Sequence, residues 1–93
     1  REFYIYIPNA FIPDGDRFNE VFAGSFVGVK EIEIEIFNRW GQLVYTSTDL
    51  NFEWDGTFRG QKVQTGTYVW KLSYVPEDRF DRELYTGHVT VLE

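Results

Sequence analysis

The chain contains no cysteine. That excludes disulfides, thiol nucleophiles and cysteine-ligated zinc, and it is compatible with any redox compartment. Histidine is nearly absent too: His88 stands alone, in a stretch that reads as a surface-facing strand position. Without a second histidine or a thiol, neither a zinc site nor a Cys–His pair can be assembled. Carboxylates are plentiful, but they sit on strands and turns without an acid–base partner, so the inventory of an enzyme is missing. No apolar run approaches the roughly 18 residues of a membrane-spanning helix, and no secretory leader is visible. Cations are in the minority. Nine Lys and Arg stand against fifteen Asp and Glu, for a net charge of −6. The nine are scattered rather than clustered, which argues against nucleic acid and against anionic membrane surfaces as partners.

What is present points to strands. Aromatic residues make up 19% of the 93 residues, and aromatics suit the pleated surface of a sheet. The length is that of one domain, residues 1–93, large enough for a modest core without staples. An opening on Arg1 rather than Met is expected of a piece of a longer protein, with any targeting segment upstream.

Residues 3–7, FYIYI, read as a strand that Pro8 ends or confines to an edge. Residues 30–37, KEIEIEIF, alternate strictly, with Ile32, Ile34 and Ile36 on one face and Glu31, Glu33 and Glu35 on the other. That is a half-buried strand of period two, its glutamates solvated and guarding against edge pairing. NRWG (38–41) follows as a turn, with Asn38 at the first position and Gly41 at the fourth, and QLVYTS (42–47) returns as the hairpin partner. TYVWKLSY (67–74) alternates again, placing Tyr68, Trp70, Leu72 and Tyr74 together, and ELYTGHVTVL (83–92) closes the chain with Tyr85, Val89 and Val91 on one face. Asp55-Gly56 and Arg59-Gly60 mark turns, leaving room for short strands near Trp54 and Val63. With no helical pattern, the expectation is an all-β, single immunoglobulin-like antiparallel β-sandwich of about seven strands.

Two sets of residues invite a binding role. Trp40, at a hairpin tip, and Trp54, just before a turn, are candidates for stacking on a sugar or a peptide, whereas Trp70 on its alternating strand belongs in the core. The acidic stretch DGDRFNE (14–20) offers Asp14, Asp16, Asn19 and Glu20 as a candidate calcium set. The helix-loop-helix calcium pattern is absent: its fifth position falls on Phe18, its glycine on Asn19 and its twelfth position on Ser25. An Asx turn, in which these side chains bond their own backbone, is the favoured alternative. No other cofactor is indicated.

Five stretches in order, YIPNAFIPDGDRFNEVF, IEIFNRWGQLVY, WDG…G, TGTYVWKLSY and GHVTV, run from Tyr6 to Val91, in a likeness that covers nearly all of residues 4–92. Together they resemble the gliding-motility-associated C-terminal domain of Bacteroidetes, the type B sorting domain of the type IX secretion system. Asn38, Arg39, Trp40 and Gly41 match that family's pattern unchanged, as do Trp54, Asp55, Gly56, Gly66 and Tyr68. The family's NGDGxND becomes DGDRFNE, with Asp14 for Asn, Arg17 for the second Gly and Glu20 for the last Asp. The resemblance implies a non-catalytic address label at the end of a large passenger protein. The outer-membrane secretion machinery would recognise it after export to the periplasm, and the passenger would be secreted or reach the cell surface. It further implies a domain that is monomeric in isolation and does not insert into the membrane. Asn38, Arg39, Trp40 and Gly41 are then the candidate partner-binding residues, Arg and Trp being types enriched at binding hot spots. A carbohydrate- or surface-binding module, or a structural spacer, are the competing readings of the same residues.

Overall fold

The computed structural model describes residues 2–13 and 21–93. Nine strands follow in chain order: β1 (Tyr4–Tyr6), β2 (Ala10–Phe11), β3 (Ser25–Val27), β4 (Val29–Phe37), β5 (Leu43–Ser47), β6 (Thr57–Phe58), β7 (Gln61–Lys62), β8 (Gly66–Pro76) and β9 (Glu83–Val91). There is no helix among the described residues. The main layer is a five-stranded sheet in the order β2-β9-β8-β4-β5. Against it pack a two-stranded β1–β3 sheet, a β6–β7 hairpin and an isolated bridge between Phe22 and Trp54. The arrangement is an immunoglobulin-like sandwich.

Alternation decides which way each long strand faces. Ile32, Ile34 and Ile36 of β4 pair across to Tyr74, Leu72 and Trp70 of β8, and all six are buried. Their odd-numbered neighbours, the glutamates of β4 and Lys71 and Ser73 of β8, share the outward face. There Arg82 ties the strands by donating to Glu31 Oε1 at 2.8 Å and to Ser73 Oγ at 3.0 Å. On the opposite layer Ile5 pairs with Phe26 and both pack on the core, while Tyr4, Tyr6 and Val27 face solvent. His88 is exposed on β9, opposite Val69.

Two features depart from the sequence expectation. Among the described residues the strands number nine where about seven are expected, and β1, β2, β3, β6 and β7 are only two or three residues long. The sandwich is also not wholly antiparallel: β2 runs parallel to β9, with Ala10 beside Thr90 and Phe11 beside Val91. The amide of Thr90 donates to the Asn9 carbonyl at 2.9 Å and that of Leu92 to the Phe11 carbonyl at 3.0 Å. This pairing closes one edge of the main sheet and carries Phe11 into the core.

Phe11 and Phe22, on either side of residues 14–20, are both buried, with ring centroids 5.9 Å apart. Trp54 joins them at 5.5 Å from Phe11, and Tyr68 meets Trp54 edge-on at 5.7 Å. Such tilted and edge-on contacts suit the quadrupoles of aromatic rings. This cluster, rather than the aliphatic stripe alone, joins the two layers.

Candidate functional site

The β4–β5 hairpin ends in the turn Asn38–Gly41, and its geometry follows from its residue types. The Gly41 amide donates to the Asn38 carbonyl at 3.0 Å, closing a four-residue turn, and Gly41 takes φ +81°. That left-handed conformation is open to glycine at little cost. Asn38 does more than start the turn. Its Oδ1 accepts from the amides of Trp40 at 3.0 Å and Gln42 at 2.9 Å, and its Nδ2 donates to Gln42 Oε1. The amide side chain thereby satisfies backbone donors that the turn would otherwise leave to water.

A tip held so firmly presents its two middle side chains outward. Trp40 is 72% exposed. The Arg39 guanidinium lies over its ring, 4.7 Å from the centroid, and donates from Nη2 to Gln64 Oε1 at 3.1 Å. Gln64 is tied in turn to the start of β8, since its carbonyl accepts the Tyr68 hydroxyl at 2.7 Å. A tyrosine near the start of a strand bonding back to a carbonyl a few residues upstream is the tyrosine-corner arrangement of immunoglobulin-like sandwiches. Burial raises the Tyr68 pKa above the usual 10.0, while the positive charge of Arg39 opposes the shift.

These residues wall a cleft of about 270 Å³ between the hairpin tip and the start of β8, lined by Arg39, Trp40, Gln64, Thr65 and Tyr68 among others. A second cleft of about 230 Å³ shares Asn38, Trp40, Gln64 and Tyr68 and opens toward Phe58 and Lys62 of the β6–β7 hairpin. That hairpin turns on Arg59 and Gly60, both at positive φ (55° and 82°), as a two-residue loop of type I′ does. The strands of the β6–β7 hairpin and the tip of the β4–β5 hairpin thus share one cleft beside Trp40.

The other candidates fall elsewhere. Trp54 is 1% exposed, donating from Nε1 to the Thr57 carbonyl at 3.0 Å, and is core rather than a stacking platform. Its neighbour Asp55 accepts from both the amide and the hydroxyl of Thr57, at 3.1 and 2.7 Å, so the WDG stretch is a structural turn. Trp70 is buried, as its strand position predicts. Asp14, Asp16, Asn19 and Glu20, the candidate calcium set, lie outside the described residues. Among the described residues no group of three or more His, Asp or Glu side chains gathers as a metal site would require. Gln64 is the site residue that sequence reading passes over. It lies 25 positions from Arg39, and its role depends on a long-range approach of two turns.

Residues 5–91 match the CHU_C type IX secretion signal domain. The chain belongs to that family. The match runs from within β1 to the end of β9 and includes both hairpin tips. No curated protein and no solved structure matches the chain. A CHU_C domain is a type IX secretion signal domain, and here its hairpin tip displays an exposed Trp beside an Arg.

Proposed function

We propose that this domain directs a large passenger protein across the outer membrane, through the type IX secretion system, to the cell surface or the medium. The outer-membrane machinery docks on the hairpin tip Asn38–Gly41. The family match over residues 5–91 is the observation that carries the sorting role. The tip supports the docking role because its side chains are displayed rather than used. Asn38 and Gly41 build the turn, while Trp40 stays largely exposed and Arg39 takes only a neutral amide and an aromatic face as partners. A rigid hairpin that presents an Arg and a Trp costs a partner little ordering entropy on docking.

The test is a reporter carrying a periplasmic leader and fused to residues 1–93, expressed in a Bacteroidetes host with an intact type IX system. The wild-type fusion is expected outside the cell. Trp40→Ala is expected to leave the reporter in the periplasm while the domain remains folded by circular dichroism. Retention of the wild-type fusion, or of a longer fusion that includes more upstream chain, contradicts the reading.

A further inference from the structure

Charge is unevenly distributed over this acidic chain. Three ion pairs within 4.0 Å join described residues: Arg79–Asp78, Arg79–Glu83 and Arg82–Glu31. All three involve the loop between β8 and β9. In the clefts beside Trp40 the pattern reverses. Arg39 is the only charged residue lining the larger cleft and Lys62 the only one lining the adjoining cleft. Neither forms an ion pair among the described residues, which is true also of Lys30, Arg59 and Lys71; what sets Arg39 and Lys62 apart is their place in these two clefts, neither of which a carboxylate lines, although Lys62 also borders a wider cleft with Glu93. Arg39 makes one hydrogen bond, to Gln64 Oε1, which leaves most of its donors free. Its guanidinium is also held in place by the Trp40 ring.

From this arrangement, and resting on the hairpin tip as the docking surface, we infer that the paired clefts bind an acidic peptide segment of a protein partner. One carboxylate is taken by Arg39 and a second lies near Lys62, with the peptide backbone crossing the exposed face of Trp40. A guanidinium fixed by an amide and an aromatic ring is prepared for a carboxylate, because its fork needs no further ordering. The remaining surface, acidic on balance, repels such a segment elsewhere and so fixes where it lands. Peptide is favoured over an anionic glycan. Arg39 already covers one face of Trp40, and Trp54 is buried, so the pair of open aromatic faces that would stack on sugar rings is missing.

The test uses the 15N-labelled chain and three probes: an acetylated, amidated Gly-Glu-Gly-Glu-Gly peptide, its Gln counterpart, and a short oligogalacturonate. The Glu peptide is expected to shift the Trp40 indole and Arg39 Nε resonances, and the Gln peptide to leave them in place. Arg39→Gln and Lys62→Gln should each weaken the Glu peptide about three- to tenfold, with binding falling further as salt rises. Response to the oligogalacturonate alone, or equal response to the Glu and Gln peptides, overturns the inference. In the reporter assay, the Arg39→Gln, Lys62→Gln double variant is expected to lose export. If the wild-type fusion is exported and the double variant is exported equally well, this inference fails while the sorting role stands. If the wild-type fusion itself stays in the periplasm, the sorting role fails instead.

Discussion

Gly87 and Trp70 sit opposite one another in the β8–β9 ladder, and the indole lies where a side chain on Gly87 would begin. A Cβ built on Gly87 falls 2.5 Å from Trp70 Cζ2 and 2.9 Å from Cε2. Tyr85, two residues earlier on the same face of β9, stands edge-on to that indole at 5.2 Å. The glycine in GHVTV is therefore a packing requirement. The small residue lets a large one lie flat against the neighbouring strand.

Gly87→Ala consequently destabilises the fold by overpacking, by about 1–3 kcal/mol, seen as a lower melting temperature. Combining it with Trp70→Phe should recover part of the loss, because the smaller ring vacates the clashing atoms. Strict additivity of the two substitutions in a double-mutant cycle would show that the contact is not what Gly87 protects.

Gly41 and Gly56 share a left-handed backbone, at φ +81° and +79°, but differ in their surroundings. Nothing lies within 4 Å of a Cβ on Gly41, whereas one on Gly56 meets Pro13 Cγ at 2.9 Å and Pro13 Cβ at 3.0 Å. Gly41→Ala should therefore carry only the conformational cost of about 1–2 kcal/mol. Gly56→Ala carries that cost plus displacement of Pro13, and should unfold at clearly lower denaturant. Equal midpoints for the two variants would contradict this account of WDG.

Alkaline pH should weaken the fold through Tyr68 and Tyr74. Burial raises both hydroxyls above the ordinary 10.0, and for Tyr74 the nearby Glu83 carboxylate adds to the shift. A raised folded-state pKa means that the native protein holds its proton where the unfolded chain has lost it. The associated stability is thus present in full below about pH 10 and is lost as pH rises through the folded-state values. Melting temperature should fall as pH rises above about 10, and less steeply in Tyr68→Phe. The same variant loses the bond to the Gln64 carbonyl, costing about 1 kcal/mol at neutral pH.

The long strands were legible because each carries its own signal. The isoleucine–glutamate alternation of β4 and the Tyr68–Tyr74 alternation of β8 leave one register that buries the apolar set. The NRWG turn was equally plain, since Asn38 and Gly41 take the positions their chemistry favours. The short strands were hidden for a different reason. Ala10 and Phe11 form a strand only because β9 runs parallel beside them, and nothing local announces a partner some 80 residues away. Trp54 likewise stands next to a turn in sequence but is drawn inward by its bridge to Phe22, with N–O distances of 2.8 and 2.9 Å. At the site, Arg39 and Trp40 could be named from their motif. Gln64 and Lys62 could not, because they come from the segment leading into β8 and from the β6–β7 hairpin, which only the fold brings near the tip. The acidic stretch 14–20 keeps its sequence reading alone, as the opening turn of its motif or a calcium loop.

The sorting role is tested most directly by the fraction of reporter outside the cell when residues 1–93 are fused to its C-terminus, measured in a secretion-competent Bacteroidetes strain and in its sibling lacking the type IX machinery. Extracellular or surface-bound reporter is expected in the first strain and periplasmic reporter in the second. The same distribution in both strains would contradict the sorting role.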